Sequence, residues 1–350
     1  MLGDKEKIGF GIIGCGMVAP AHADSLMGIE EARLVAVCDK DVSRAKAFGE
    51  KYGCVYYADV KDLLSHDDIH IVNLCIPPGL HRDVALLCAE AGKHLIVEKP
   101  IEVSLKKADD MIVACEQAGV QLAVIFQGRF KKAMIALKKA VERGTLGRLV
   151  LGDAYIKWFR PQSYYDSSPW RGTWAMDGGG AIINQSIHTI DQLQWMMGPV
   201  ESLYARMATY HTMEAEDLAV AHLQFKNGAL GVIEGATVLY PGIPERLEVH
   251  GLRGTIALEG GKVKVWDIQD PRPEDEPGDL EEESGTGASD PMAFPIIWHQ
   301  AQIRDMIEAV REGRPAAVDG REGRKALEIV RAIYRSARTG EVVSFPLEEE

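Results

Sequence analysis

Residues 8–19 read IGFGIIGCGMVA, an apolar run followed by a glycine-rich turn and the start of a helix. The run Ile8–Ile13 predicts a buried parallel strand. The turn has the pattern G-x-G-x-x-A, in which Gly14 permits a tight bend and Gly16 lets the backbone approach a pyrophosphate. The small Ala19 lets helix and strand pack closely, and the helix N-terminus favours an anion. This stretch predicts the first strand–turn–helix unit of a dinucleotide-binding sheet.

The rest of the first half repeats the alternation of strand and helix. Short apolar runs predict further parallel strands at Leu34–Cys38, Cys54–Tyr57, Ile69–Ile76, Leu95–Val97 and Leu122–Phe126. Segments with helical periodicity lie between them, at Val42–Tyr52, His81–Ala91 and Leu105–Ala118. Such alternation requires right-handed crossovers and yields a doubly wound sheet. We therefore predict an α/β fold whose first domain, residues 1–126, is a Rossmann domain.

The second half has a different pattern. Long alternating segments predict strands at Leu149–Phe159, Val200–Thr209, Leu218–Phe225, Leu230–Leu239, Arg246–His250, Thr255–Glu259 and Lys262–Trp266. Helices are predicted at about Lys131–Arg143, Gln185–Met197, His299–Glu312 and Arg321–Ala337. The turn residues between several of the strands favour an antiparallel sheet. Residues 127–350 are therefore predicted to form a second, α+β domain for substrate binding and oligomerisation, built on an open, mainly antiparallel sheet.

Composition excludes several classes of function. The 350 residues include 39 basic and 52 acidic side chains, and the net charge of −13 disfavours nucleic acids and anionic membranes. Nine carboxylates lie between Asp270 and Asp290, a segment that we expect to be a solvated or partly disordered loop. The six cysteines show no C-x-x-C pair, and the His66/His70 pair has no further ligand nearby in sequence, so we expect no metal. The N-terminus has no apolar signal core, and we expect a cytoplasmic protein.

Two later strand ends add candidate cofactor contacts. Asp39 ends the second strand 23 residues after Gly16, close to the spacing of the carboxylate that binds the ribose 2′-hydroxyl. A carboxylate repels a 2′-phosphate, so we expect NAD rather than NADP. The fourth strand ends at Ile76-Pro77, a rigid rim suited to a nucleotide, and His81 is either a helix-start residue or a ribose contact.

The fifth strand ends in Glu98-Lys99-Pro100, where the proline holds the backbone that aims the lysine ammonium. Further on, residues 178–191 read GGGAIINQSIHTID. With the glycine-rich turn, these motifs make the chain resemble the glucose–fructose oxidoreductase / inositol dehydrogenase (Gfo/Idh/MocA) family over nearly its whole length. The resemblance implies frequent dimers or tetramers packed through the C-terminal sheets, and an active site between the domains.

The resemblance also implies catalytic roles. His188 would be the general acid/base, since an unperturbed imidazole titrates near neutral pH. Lys99 would stabilise the alkoxide charge that develops on the same oxygen. Inositol dehydrogenases of the family carry Asp at the position of Asn184, and this departure favours pyranosides or nucleotide sugars. On a helix, Asn184, His188, Asp191 and Trp195 would share one face, with Asp191 orienting the helix or His188.

The remaining candidates come from the aromatic segment Tyr164–Trp174 and from two isolated residues, Arg129 and His299. Trp170 and Arg171 are expected, by the resemblance, to reach the nicotinamide end of the cofactor. The expected cofactor contacts are Gly14, Gly16, Met17, Val18, Asp39, Ile76, Pro77, His81, Glu98, Lys99, Trp170 and Arg171. The expected substrate contacts are Lys99, Arg129, Tyr165, Trp174, Asn184, His188 and His299.

The sequence thus predicts an NAD-dependent dehydrogenase that oxidises one ring hydroxyl of a sugar, either a pyranoside, for example at C3, or a nucleotide sugar. An inositol or cyclitol dehydrogenase is the alternative within this class. A glycoside hydrolase or lyase that keeps NAD bound and uses transient oxidation is the alternative from another class. A dinucleotide-binding sensor is a third, which the presence of both Lys99 and His188 disfavours.

Overall fold

A computed structural model describes residues 7–280, 288 and 295–347. The chain divides into two compact units. The first comprises the described residues up to Gln127 together with Ile296–Arg324, and the second comprises Gly128–Pro295 and the described residues from Lys325 onward.

The first unit contains a six-stranded sheet in which every pair of neighbouring strands is parallel. Its strands are β1 (Ile8–Ile13), β2 (Ala32–Cys38), β3 (Val55–Tyr57), β4 (Ile71–Leu74), β5 (His94–Val97) and β6 (Leu122–Val124). The spatial order is β3-β2-β1-β4-β5-β6, so the sheet reverses its direction of growth between β1 and β4. This confirms the predicted Rossmann sheet and places the ends of β1 and β4 side by side at the switch point, where such sheets bind ligands.

The helices of this unit are α1 (Ala19–Met27), α2 (Val42–Tyr52), α3 (Val60–Leu64), α4 (His81–Glu90), α5 (Leu105–Ala118) and α9 (Ile297–Glu312). The predicted division after residue 126 puts Ile296–Arg324 in the second domain, whereas the structure groups this segment with the first unit. The reason is apolar packing, because Ile303 and Met306 of α9 share a core with Ala23 and Leu26 of α1. A late return of the chain to an earlier core leaves no local sequence signal.

The second unit is built on an eight-stranded sheet with the order β13-β12-β11-β7-β10-β9-β8-β14. Its strands are β7 (Leu149–Lys157), β8 (Val200–Ala208), β9 (Leu218–Phe225), β10 (Leu230–Ala236), β11 (Arg246–Gly251), β12 (Gly254–Glu259), β13 (Lys262–Ile268) and β14 (Val343–Ser344). Within this sheet, β7 and β10 run parallel, and the other described strand pairs are antiparallel. The predicted mainly antiparallel sheet is therefore confirmed.

The second unit also contains helices. They are α6 (Lys132–Glu142), α7 (Gln162–Asp166), α8 (Ile187–Met197) and α10 (Gly320–Thr339), the last of which is divided between the units at Arg324. A side chain at Gly152 of β7 would collide with Met197 and Leu193 of α8. Glycine at this strand position therefore lets α8 pack closely against the sheet.

The acidic segment Asp270–Asp290 lies partly outside the described residues, which omit 281–287 and 289–294. In its described part, Pro273–Asp275 forms a 3₁₀ turn, and the buried Asp275 accepts a hydrogen bond from Thr145 Oγ1 at 2.8 Å. Across the helices that the structure describes, none combines the length and the apolar character needed to cross a membrane.

Candidate functional site

The glycine-rich turn lies at the carboxyl end of β1. Gly14 has φ +93°, and a Cβ atom there would lie 2.4 Å from the carbonyl oxygen of Cys75, so only glycine fits. At Gly16 the Cβ position meets no described atom within 4 Å. Open space at this glycine, in front of the first turn of α1, suits the close approach of a pyrophosphate, and Met17 and Val18 flank it.

Asp39 is fixed against this turn. Its Oδ2 accepts a hydrogen bond from the backbone N–H of Cys15 at 2.9 Å, and its Oδ1 accepts one from the N–H of Asp41 at 2.9 Å. Arg44 lies 3.6 Å from the same carboxylate. The carboxylate is thus held at the end of β2 beside the phosphate-binding turn, which fits an adenosine ribose.

The segment after β4 lies on the other side of the glycine-rich turn from Asp39. Ile76 is so close to Gly14 that its Cγ2 would lie 2.8 Å from an added Cβ, and Pro77 directly precedes the 3₁₀ turn Pro78–Leu80. His81 is fully buried, with Nε2 3.0 Å from the Ile76 carbonyl oxygen and Nδ1 3.1 Å from those of Pro100 and Ile101. Burial lowers the pKa of His81. Of the two readings of His81, these contacts favour the helix-start residue, because the ring braces backbone instead of facing a ribose.

The turn after β5 carries Glu98, Lys99 and Pro100, and the Lys99-Pro100 peptide is cis. Glu98 is buried, and its Oε2 accepts a hydrogen bond from the backbone N–H of Lys99 at 3.2 Å. Its Oε1 lies 2.8 Å from Nε2 of His22, a fully buried residue of α1. Burial would raise the pKa of Glu98, but the hydrogen bond and charge of His22 and the charge of Lys99 lower it, so the carboxyl is ionised.

His299, at the start of α9, joins this buried group. Its ring lies 5.7 Å from that of His22, in an edge-on arrangement. Burial and the neighbouring His22 lower the pKa of His299 to about 4, so the ring is neutral at neutral pH. His299 is therefore placed beside His22 and Glu98 in the first unit, and a contact with substrate stays a prediction.

In the second unit, the triple glycine lies against a buried carboxylate. A Cβ at Gly180 would lie 1.7 Å from the Glu216 carbonyl oxygen, and one at Gly179 would meet the hydroxyl of Tyr334 at 2.1 Å. The Glu216 carboxylate accepts hydrogen bonds from the N–H groups of Gly180 and Ile182 and from the Tyr334 hydroxyl, at 2.9–3.0 Å. Burial raises the pKa of Glu216 to about 7. This carboxylate anchors the start of the segment that carries the candidate catalytic residues.

The segment after the triple glycine differs from the predicted helix Gln185–Met197. Ala181–Ser186 form a π-helical turn, and the α-helix α8 begins at Ile187. Asn184 therefore lies outside the α-helix that carries His188, Asp191 and Trp195, and the predicted common face does not extend to it. His188 lies in the first turn of α8 and is half-buried. The Asn184 Nδ2 donates to Oδ1 of the buried Asp177 at 2.6 Å, and Asp177 Oδ2 accepts from the Gly172 N–H.

Arg129 and Asp191 form a buried bidentate pair. The Nε and Nη2 atoms of Arg129 donate to Oδ2 and Oδ1 of Asp191 at 2.8 and 2.6 Å. The guanidinium also lies 5.0 Å from the ring centre of Trp195. Asp191 thus fixes α8 by pairing with Arg129, in line with its predicted orienting role. For Arg129, predicted as a substrate contact, the pair favours a structural role.

The aromatic segment contains one cation–aromatic cluster. The Arg171 guanidinium lies 4.3 Å from the Tyr164 ring centre and 5.0 Å from that of Trp170, and it donates to the Tyr164 hydroxyl at 2.5 Å. Gln185 Nε2 also donates to this hydroxyl, at 3.2 Å. A second guanidinium, that of Arg160, lies 5.6 Å from the Tyr164 ring centre. Two cations beside aromatic faces suit an anionic ligand with a planar or apolar face.

Two predicted substrate contacts, Tyr165 and Trp174, are not part of the cluster of Arg171, Tyr164 and Trp170. Tyr165 is buried, and its hydroxyl is 2.5 Å from Thr237 Oγ1, which favours a core residue that supports Tyr164. A contact of Tyr165 with substrate stays a prediction. Trp174 packs edge-on against Tyr334 and lies under the Arg338 guanidinium at 4.3 Å. The side chain of Trp174 thus contacts Tyr334 and Arg338 of α10, and its backbone N–H donates to Glu214 Oε2 at 3.1 Å.

The sequence analysis did not identify the buried polar residues that hydrogen-bond to the motif residues or to their partners, namely His22, Asn73, Asp177 and Glu216. His22 is one buried histidine on an apolar helix face, and Asn73 is one polar residue inside an apolar strand. Neither has a motif. A polar residue inside an apolar segment was the one available signal, since burial of such a group requires a partner.

The parallel sheet and its glycine-rich edge define a Rossmann-class dinucleotide-binding protein. Residues 8–126 match the oxidoreductase family with an NAD-binding Rossmann fold, and residues 134–257 match the GFO/IDH/MocA C-terminal domain. The chain is 30% identical over 337 residues to the myo-inositol 2-dehydrogenase of Thermotoga maritima, covering 93% of this chain and 95% of that protein.

Two solved structures extend the similarity to nearly the whole chain. The WlbA dehydrogenase of Bordetella pertussis, in complex with NADH and UDP-GlcNAcA, is 33% identical with a TM-score of 0.89, covering 98% of this chain and 99% of that one. The WlbA dehydrogenase of Chromobacterium violaceum, in complex with the same ligands, is 34% identical with a TM-score of 0.89, covering 99% and 98%. The chain belongs to the GFO/IDH/MocA family of NAD-dependent oxidoreductases.

Proposed function

We propose that this protein is an NAD-dependent dehydrogenase that oxidises a secondary ring hydroxyl of a nucleotide-linked sugar acid. The observation that carries the proposal is the full-length similarity, at 33% and 34% identity, to two dehydrogenases solved with NADH and UDP-GlcNAcA. The Arg171–Tyr164 cluster supports it, because a cation beside aromatic rings suits an anionic sugar nucleotide.

The proposed reaction removes a hydride and a proton from one carbinol group. Bound NAD⁺ supplies the hydride acceptor. His188 takes the hydroxyl proton as the C–H electron pair leaves, and the carbinol becomes a ketone. Lys99 holds its ammonium beside the same oxygen and stabilises the negative charge that develops there. Asn184, fixed by Asp177, orients the sugar without carrying charge.

A substrate panel tests the substrate class. UDP-GlcNAcA is compared with UDP-GlcNAc, which lacks the carboxylate, with UDP-glucuronate, which lacks the acetamido group, and with myo-inositol and simple pyranosides. Absorbance of NADH is recorded in single-turnover mixtures with excess enzyme, so that hydride transfer is seen even when NADH stays bound. We expect the acidic sugar nucleotide to react fastest. Oxidation of myo-inositol with no response to any sugar nucleotide would overturn the substrate class in favour of a cyclitol dehydrogenase.

The site of oxidation is proposed to be C3. Reduction of the product with borodeuteride, followed by mass spectrometry and NMR, places the deuterium on the oxidised carbon. Label at any other ring position would contradict this part of the proposal. Cleavage or elimination of the sugar without accumulation of any ketone would favour the alternative, an enzyme with bound NAD and transient oxidation.

Lys99→Met tests the catalytic assignment. We expect the variant to bind NADH as the wild type does, measured by nucleotide fluorescence, and to lose most of the hydride-transfer rate, by about 10²-fold or more, because the developing charge loses its ammonium partner. Turnover at the wild-type rate would show that Lys99 has another role.

A further inference from the structure

A series of buried polar side chains lies under the turn that carries Lys99. Asn73 of β4 and His22 of α1 are fully buried, and Glu98 after β5 is 7% exposed. The apolar residues of the first unit's core, among them Ala23 and Ile96, lie around α1 and β5. Placing three polar side chains together in such a core costs free energy unless each is hydrogen-bonded, so their arrangement needs a reason.

The hydrogen bonds connect three elements in sequence. Asn73 Nδ2 lies 2.9 Å from His22 Nδ1, and His22 Nε2 lies 2.8 Å from Glu98 Oε1. The other carboxylate oxygen, Oε2, accepts the backbone N–H of Lys99 at 3.2 Å. The two oxygens of Glu98 therefore have different partners, one on the cofactor helix α1 and the other on the lysine itself.

Electrostatics strengthens this connection. Burial alone would lower the pKa of His22, but the neighbouring Cys75 and Glu98 raise it, and the net shift is upward. The Glu98 carboxylate next to it is ionised, as described above. A hydrogen bond from an imidazole to a buried carboxylate is stronger and more directional than one between neutral groups. The orientation of Glu98 is therefore set by His22.

We propose that His22 is a positioning residue for Lys99, acting through Glu98, and that it ties the cofactor helix to the lysine. His22 belongs to α1, whose first turn faces the phosphate-binding glycines. Its hydrogen bond orients the Glu98 carboxylate, and that carboxylate in turn holds the backbone N–H of Lys99. The inference rests on the catalytic role of Lys99 given under the proposed function. His22 touches neither substrate nor the reacting atoms in this scheme, and its effect is on the direction of the ammonium.

A metal ion is the other reading of this cluster. His22, Glu98 and His299 offer three ligand atoms within 4.8 Å of one another. However, His22 Nε2 and Glu98 Oε1 are 2.8 Å apart and already hydrogen-bonded to each other. An ion would have to separate these atoms, so the geometry points to a direct hydrogen bond.

The test compares three substitutions of histidine. His22→Leu removes the donor to Glu98, and His22→Gln retains an N–H that can reach the carboxylate. His94→Leu is the matched control, because His94 opens β5 at the end opposite to Lys99 and its ring accepts the N–H of Gln121 at 2.9 Å, away from Glu98. We expect His22→Leu to lower the hydride-transfer rate by about 10²-fold with little change in the KM values or NADH affinity, since a small misplacement of a catalytic group acts on the rate. His22→Gln restores most of the rate, and His94→Leu leaves it near that of the wild type.

A double variant separates positioning from general damage. In the Lys99→Met background, His22→Leu is expected to have little further effect, because the group it positions is gone. Additive losses, or equal losses in His22→Leu and His94→Leu, would overturn the inference while leaving the proposed function intact. If Lys99→Met itself keeps the wild-type rate, the role of Lys99 fails, and the inference fails with it.

A measurement on the wild type covers the case in which His22→Leu does not fold. The hydrogen-bonded imidazole proton of His22 should give a far-downfield proton resonance that Glu98→Gln shifts upfield and His94→Leu leaves in place. The absence of this resonance from folded wild-type protein would overturn the inference.

Discussion

We propose that a single carboxylate, that of Asp39, sets the choice between the two nicotinamide dinucleotides. Its oxygens are fixed by the N–H groups of Cys15 and Asp41, so the charge cannot turn away from a ribose bound at this edge. A 2′-phosphate would meet a fixed negative charge there, whereas a 2′-hydroxyl would donate a hydrogen bond to it.

Asp39→Asn tests this argument, because the amide oxygen still accepts from Cys15 while the charge is lost. We expect the KM for NAD to rise about tenfold or more, since a hydrogen bond to a charged group is replaced by a neutral one. The KM for NADP should stay the same or fall. Initial rates with both cofactors measure the change, and an unchanged ratio of the two KM values would contradict it.

The hydrogen bond between Asn184 and Asp177 explains why residue 184 is an asparagine. The separation of 2.6 Å between Asn184 Nδ2 and Asp177 Oδ1 means that an aspartate at 184 would place two carboxyl groups in contact. Two carboxylates at such a distance cannot both be ionised. This explains physically why asparagine, and not aspartate, is compatible with Asp177 in this chain.

The exchange of the two residues provides the test. Asn184→Asp should lower the free energy of unfolding by about 1 kcal/mol or more. The loss should grow as pH rises, because the unfolded chain ionises both carboxyl groups whereas the folded protein holds one of them protonated. Asp177→Asn combined with Asn184→Asp restores one amide and one carboxylate and should recover stability. Thermal unfolding between pH 5 and 9 measures both variants. Equal instability of the single and double variants would refute the pairing argument.

At the scale of elements, a buried carboxylate controls the start of the segment leading into α8. Glu216 accepts the N–H groups of Gly180 and Ile182, which precede or begin the π-helical turn. Burial raises the pKa of Glu216 from 4.5 to about 7. The folded state therefore binds this proton more tightly than the unfolded state does. Its contribution to stability is complete below pH 4.5 and is lost as pH rises through about 7.

Glu216→Gln removes this titration. Relative to the variant, the wild type should lose stability between about pH 4.5 and 7, by at most about 3 kcal/mol, and the difference should be constant above that range. Denaturant unfolding of both proteins at several pH values measures the difference, with the exposed Glu201→Gln as control. A pH-independent difference would show that the pKa of Glu216 is the same in the folded and unfolded states.

The elements that sequence predicts well are those with a local cause. The strand Ile8–Ile13 and the helices Val42–Tyr52 and Leu105–Ala118 have the predicted bounds, because apolar runs, N-caps at Asp41 and Ser104 and C-terminal glycines act within a few residues. The π-helical turn was not predictable, because it depends on Glu216, thirty or more residues further along the chain. Likewise, Tyr164 and Tyr165 are neighbours with similar side chains, and only the fold decides that Tyr165 faces the core.

At the scale of the whole molecule, the eight-stranded sheet has one face against α8 and the π-helical turn and a second face with exposed side chains. Gly152 and Gly235 face α8 and the π-helical turn, whereas the alternate residues of the same strands point the other way. Strand register puts Val220, His222 and Gln224 of β9 beside Glu234, Val232 and Leu230 of β10 on that second face. Val220 and Leu230 are 45% and 58% exposed, so the face presents apolar side chains among polar ones. We propose that it packs against a second copy of the chain, giving a dimer or tetramer.

Charged substitutions on this face test the assembly. Val220→Lys combined with Leu230→Lys would bury like charges in a self-complementary interface, where each substitution is repeated by the symmetry. We expect the mass measured by light scattering after gel filtration to fall from that of an oligomer towards that of one chain. Met27→Lys is the control, because Met27 is 67% exposed at the end of α1 in the other unit. If the double variant and the control have the same mass as the wild type, the sheet face is not the interface, and its exposed valine and leucine have no partner of this kind.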